Sequence, residues 1–132
     1  MAMNPEIKAQ WVAALRSGDY EQGMSRLVTV RGDGTFDYCC LGVLCDLAVK
    51  ADVPLTVLDE GISRSYDNYN GLLPQAVRDW AGFTEDSAID TGEGEFRVHV
   101  GISEAGDPID LAELNDGGDS FDKIAELIEA GL

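Results

Sequence analysis

The sequence predicts an α+β fold: one small domain whose short, mainly antiparallel sheet is covered by about four helices. Three observations carry that expectation. Apolar residues recur at helical spacing in several segments, among them Ile7/Trp11/Ala14/Leu15, Leu41/Leu44/Cys45/Ala48 and Phe121/Ile124/Leu127/Ile128. Between them lie short β-like runs bounded by glycine, such as Leu27–Arg31 before Gly32-Asp33-Gly34. Finally, 132 residues with 45% hydrophobic content make one domain with a core of its own. No repeat, low-complexity stretch or linker divides the chain, so residues 1–132 are read as one unit. Met1-Ala2 reads as an addition ahead of a start at Met3.

The elements follow in order. Asn4 caps and Pro5 opens a first helix, because an Asn side chain accepts free amide hydrogens and Pro suits the first helical position. Gly18 ends it. Leu27–Arg31 and Thr35–Tyr38 form a hairpin. A second helix runs from Asp37, its expected cap, to about Ala51. Gly42 costs this helix stability and so marks a close approach by another backbone. Val53–Leu58 is an edge-type strand, since Pro54 cannot donate to a ladder. Asp59 to Gly71 reads as a loop. Leu73-Pro74 opens a third helix, stopped by Gly82. The stretch Thr84 to Gly94 is polar, and Phe96–Val100 alternates like a half-buried strand with His99 on its polar side. Asp110 to Asn115 is a turn or short helix. Ser120 caps the last helix and Gly131 closes it.

The run Tyr38-Cys39-Cys40-Leu41-Gly42-Val43-Leu44-Cys45-Asp46-Leu47 holds all three cysteines. Adjacent Cys39 and Cys40 do not bridge easily, and Cys40 and Cys45 diverge on a helix. A zinc site would need His99, the one histidine, and no Cys-x-x-Cys pair is present. A catalytic thiol would need a histidine or a cation beside it. Buried apolar thiols in a reducing compartment are the expectation, with no metal and no other cofactor.

Twenty-five acids against nine bases give a net charge of −16. Nucleic-acid backbones and anionic membranes require clustered Lys and Arg, so direct contact with either is not expected. No apolar run is long enough to span a bilayer, and residues 1–10 lack a signal-peptide core. The acidity serves either solubility or an acidic face that engages a basic partner or mimics a phosphate backbone; mimicry would want regular rows, and the acids look spread over loops and helix ends instead. No phosphate-binding loop, nucleophile elbow or calcium loop is present: from Asn115, the sixth residue is Ser120 where such a loop needs Gly.

Two segments carry recognition chemistry. Arg64-Ser65-Tyr66-Asp67-Asn68-Tyr69-Asn70 combines stacking rings, amides and a cation. Asn115-Asp116 combines an amide and a carboxylate before the last helix. The expected ligand contacts are Arg64, Tyr66, Asn68, Tyr69, Asn115 and Asp116, gathered at one edge by the helices that end at Gly82 and begin at Ser120. No catalytic residue is assigned.

Several blocks also resemble a known family. They are Leu15–Gly23, the cysteine run from Tyr38 to Leu47, Leu73–Gly82, Leu111–Asp116 and Ser120–Ala125. Together they are similar to a family of small proteins of unassigned activity encoded by tailed bacteriophages and prophages. Residues Thr84 to Gly106 lie outside the resemblance. It implies a viral accessory protein acting in the cytoplasm of a bacterial host, and no catalytic residue. The resulting expectation is a binder that sequesters a small nucleotide-derived ligand in counter-defence. The alternative is an acidic inhibitor covering a basic host protein, and an enzyme using a cysteine or carboxylates comes last. A phosphorylated ligand would need Arg31, Arg64 or Arg97 to converge. The oligomeric state is left open.

Overall fold

The computed structural model describes residues 4–23, 26–67, 69, 73–83, 88–90, 96–102 and 108–131, with backbone alone at 88–90, 96–102, 108, 109 and 131. The described elements run α1 (Pro5–Arg16), β1 (Glu21–Gln22), β2 (Val28–Val30), β3 (Phe36–Tyr38), α2 (Cys40–Lys50), β4 (Val57–Asp59), β5 (Ser63–Tyr66), α3 (Gln75–Ala81), β6 (Ala88–Asp90), β7 (Phe96–Ile102), β8 (Pro108–Asp110), α4 (Leu111–Asp116) and α5 (Phe121–Gly131). The fold is α+β. One sheet has the order β1-β3-β2-β5-β4, antiparallel except for the β1–β3 pair. A second, β6-β7-β8, is antiparallel throughout.

Helix α2 is the centre of the core. Cys40, Leu41, Gly42, Val43, Leu44 and Cys45 are consecutive and all buried. Six consecutive buried residues leave the first part of the helix no solvent side, so it must be surrounded, and here α1, α3, α4 and β3 pack on it. Trp11 of α1 is fully buried and donates its indole N–H to the Cys40 carbonyl at 2.9 Å. Each large side chain removed from water in this way contributes roughly 1.5–3 kcal/mol. Ile124 and Ile128 of α5 and Leu111 of α4 complete the cluster.

Local chemistry sets the element ends. Asn4 accepts the amide hydrogens of Glu6 and Ile7 at the start of α1. Gly18 has φ +80 beyond the helix, and Gly82 ends α3 in the left-handed conformation with φ +78. Gly42 packs directly on Leu27: a Cβ there would stand 1.8 Å from the Leu27 carbonyl oxygen. The expected close approach is thus the contact between α2 and the entry to β2. Between β2 and β3, the Gly34 amide donates back to the Arg31 carbonyl at 3.0 Å, and Gly34 has φ +87. That is a type I turn closed by a left-handed glycine. Ser120 Oγ accepts the Lys123 amide hydrogen and caps α5.

Three expectations are corrected. Asp37 does not cap α2, because β3 continues through Tyr38 and Asp37 lies in the ladder opposite Thr29. Cys39 caps instead, its Sγ accepting the Gly42 amide hydrogen at 3.3 Å. The Asp59–Gly71 loop contains strand β5, which sits inside the sheet between β2 and β4. The polar stretch before Phe96 contains β6. β4 is an edge strand as expected, but it runs over Val57–Asp59 rather than Val53–Leu58 and leaves Pro54 outside. Among the described residues no helix is long and apolar enough to cross a membrane.

Candidate functional site

Beside the core, three segments line an open groove of about 820 Å³. The end of α1 and the following turn supply Ala13, Ala14, Ser17, Asp19 and Tyr20. The β2–β3 hairpin supplies Gly34, Thr35, Phe36 and Tyr38, and the outer face of α2 supplies Asp46, Leu47 and Lys50. The volume falls in the range of small-molecule sites.

Aromatic rings and one polar cluster define its chemistry. Tyr20 and Tyr38 meet edge to face, with centroids 4.9 Å apart. The Tyr20 hydroxyl donates to Asp46 Oδ2 at 2.5 Å. Lys50 Nζ lies 3.1 Å from that hydroxyl and 3.0 Å from the same carboxylate oxygen. Asp46 and Lys50 are four apart on α2, so one helix face brings them together. The Tyr20 hydroxyl and the Asp46 carboxylate hold the Lys50 ammonium above its ordinary range. Partial burial, then the bond to Asp46, raises Tyr20, which keeps its proton at neutral pH. Partial burial also raises Tyr38. The groove therefore offers stacking surface, a fixed cation, a carboxylate and hydroxyl groups.

The residues expected to bind ligand lie elsewhere. Tyr66 is 1% exposed and belongs to the core. Its hydroxyl lies beside the Arg64 guanidinium but makes no well-aligned hydrogen bond among the described residues. The stacking role expected of Tyr66 is corrected accordingly: a ring sealed in the core has no face to offer. Arg64 stacks on the Phe36 ring, 4.4 Å from its centroid, and pairs with Asp59 at 2.7 Å. Tyr69 is exposed and closes a turn with Tyr66 through two backbone hydrogen bonds of 2.8 and 3.0 Å. Asn68 lies outside the described residues.

Asn115 is fully buried and also leaves the expected site. Its carbonyl oxygen accepts from the Cys40 amide at 3.2 Å and from Gln22 Nε2 at 3.0 Å, and its Nδ2 donates to the Gly23 carbonyl at 2.7 Å. Asp116 is exposed at the end of α4. Asn115 sits at the first residue of α2, while Tyr66 lies near Cys45, five residues further on. Asn115 is bonded to Gln22 and Gly23 at β1, whereas Tyr66 lies on β5, three strands across the sheet, so the two do not form the expected single edge.

Arg31 and Arg64 do not converge either. Arg31 pairs with Asp37 at 2.6 Å, and strand alternation puts Arg31 and Asp37 on the opposite sheet face from Arg64 and Phe36. The side chain of Arg97 lies outside the described residues. The three thiols are buried, and burial pushes Cys39 up to about 11 and Cys40 and Cys45 well above the ordinary thiol range. A reactive thiolate needs the reverse.

Sequence reasoning missed Tyr20, Phe36, Tyr38, Asp46 and Lys50 as a group. The Asp46/Lys50 spacing on the polar side of an otherwise apolar helix was the available signal. No curated protein and no solved structure matches the chain. The family described as a domain of unknown function (DUF8296) matches residues 3–132, and the chain belongs to that family.

Proposed function

We propose that the protein is a non-enzymatic accessory protein of tailed phages or prophages that acts by binding inside the bacterial host, and that its groove holds a small ligand with a planar ring of the nucleobase class. The observation that supports this most is the convergence of Phe36, Tyr20 and Tyr38 on one groove with the Asp46–Lys50 pair. Rings stack on rings with little dependence on identity, and the paired cation and carboxylate meet donor and acceptor edges. The net charge of −16, and the separate engagement of Arg31 and Arg64, favour a ligand of low negative charge, nucleoside-like rather than polyphosphate. Sequestering such a ligand would serve counter-defence.

Native mass spectrometry of protein purified from bacteria, followed by titration with adenosine, guanosine and their cyclic monophosphates, tests the reading. One of these should bind, and Phe36→Ala should weaken it by ~1–3 kcal/mol through lost stacking. Binding that is absent for all four, or unchanged in a folded Phe36→Ala, would remove the groove as the site. The alternative, an acidic inhibitor of a basic host protein, draws on one observation. Asp122, Glu126 and Glu129 are exposed on α5 at spacings of four and three, a single helix stripe. One short stripe of acid is therefore present on this helix, with Glu129 paired to Arg16 at 3.0 Å. A basic host protein retained at low salt and released by charge reversal at Asp122 and Glu126 would favour that reading.

A further inference from the structure

Strand β4 ends its sheet, and no described strand covers its outer side. All three of its residues are exposed, with Val57 at 39% and Leu58 at 46%, and Ile62 in the adjoining turn is 60% exposed. Natural edges are guarded by charge, proline or bulges, because an open row of backbone groups recruits another strand. Pro54 and Glu60 flank β4, but the strand itself carries one charge, Asp59, already held by Arg64 at 2.7 Å.

The register shows which backbone groups are free. The Asp67 amide donates to the Thr56 carbonyl and the Glu60 amide to the Ser63 carbonyl, each at 2.8 Å. Leu58 lies opposite Ser65 between these pairs. In an antiparallel pair, bonded and non-bonded residues alternate. Thr56, Leu58 and Glu60 therefore bond inward to β5. The N–H and C=O groups of Val57 and Asp59 point out.

We infer that β4 is a self-association edge, pairing antiparallel with β4 of a second copy of this chain about a two-fold axis through Leu58. The free groups are self-complementary in that register. Val57 pairs with Asp59 of the second copy, and Asp59 with its Val57, for four backbone hydrogen bonds. Leu58 meets Leu58 in a non-bonded pair, where side chains come closest. The two exposed leucines cover each other on the sheet face opposite Arg64 and Tyr66. The register sets no acid directly opposite another, which matters between two molecules of charge −16. The two Asp59 side chains are diagonal neighbours ~7–8 Å apart, and each is paired with its own Arg64. Asp59 falls opposite Val57, and Glu60 opposite Thr56. This pairing is independent of the groove and of any ligand.

Sedimentation of the full chain across concentration and salt tests the inference. A monomer–dimer equilibrium should appear and tighten as salt rises, because screening to ~10 Å at 0.1 M relieves the repulsion. Leu58→Lys, which sets two ammonium groups face to face, should raise the dimer dissociation constant about tenfold or more. Leu58→Cys should cross-link on mild oxidation, since Cα atoms of a non-bonded pair stand ~4.5 Å apart, within disulfide reach. The native cysteines are buried and do not compete. Val57→Cys, displaced from its own two-fold mate, should not cross-link. A monomer at every salt concentration would overturn the proposal, as would equal cross-linking of the two cysteine variants. So would β4 amides that gain exchange protection only when an alternating Val-Lys peptide is added. If Leu58→Lys fails to fold, the cysteine pair decides the question.

Discussion

Three hydrogen bonds converge on the Asn115 side chain, and two of them satisfy backbone groups, the Cys40 amide and the Gly23 carbonyl. The Cys40 amide is one of the free donors at the start of α2, so a side chain 75 residues away completes that helix end. Asn115→Ala should lower stability by about 2–4 kcal/mol, because buried partners are left unsatisfied; urea unfolding measures it. A loss under 1 kcal/mol would mean that water replaces the amide. The thiols make a second prediction. Burial raises Cys39 from about 9 to about 11, and it also raises Cys40 and Cys45 well above the ordinary thiol range. The unfolded chain releases these protons first as pH rises. Their stabilisation is therefore full below pH 9 and is lost as pH climbs through 11, with about 2–3 kcal/mol from Cys39. Tyr20 and Lys50, also raised, act in the same direction. Urea midpoints should be insensitive to the thiols at pH 7–8 and fall from pH 9 to 10.5. Cys39→Ala should flatten part of that slope, and an unchanged slope would assign it to other groups.

At the scale of elements, α2 and the entry to β2 touch through Gly42 and Leu27 without an intervening side chain. Gly42→Ala places its methyl 1.8 Å from the Leu27 carbonyl, so backbone must move. The cost should exceed the ~1 kcal/mol that alanine otherwise contributes to a helix and reach 3 kcal/mol or more. Thermal unfolding measures it, and a variant as stable as the parent would show that β2 can shift freely. This contact was legible in the sequence because a lone glycine interrupts an apolar helical run. The helices were legible for the same reason, since their apolar stripes are local, although the start of α2 is completed by Cys39 and the distant Asn115 rather than by Asp37. Strand β5 was not, since Ser63-Arg64-Ser65-Tyr66 lacks the apolar alternation that marks a strand. It is held by pairing on both sides, and pairing is a property of position. Asn115 was singled out for its hydrogen-bonding capacity, and that capacity is used internally. The groove was out of reach because residues 13–20, 34–38 and 46–50 meet only after folding, and no spacing rule links them.

For the molecule as a whole, charge opposes compactness. Twenty-five acids face nine bases, and the described ion pairs engage Arg16, Arg31, Lys50 and Arg64. The excess acids repel in the folded state. Raising ionic strength from about 0.01 to 0.2 M shortens screening from ~30 Å to under ~10 Å, so the melting temperature should rise over that interval at fixed low protein concentration. A flat or falling curve would show that geometry already separates the charges. The Asn115 junction also governs how the protein comes into being. A nascent chain that has emerged through α2 has made its most apolar helix but lacks the residue that completes the start of it. Ile124 and Ile128 of the core come later still. Synthesis from the N-terminus therefore leaves an apolar, unfinished half exposed until residues 115–128 have emerged, and that half is open to chaperones or to aggregation in the meantime.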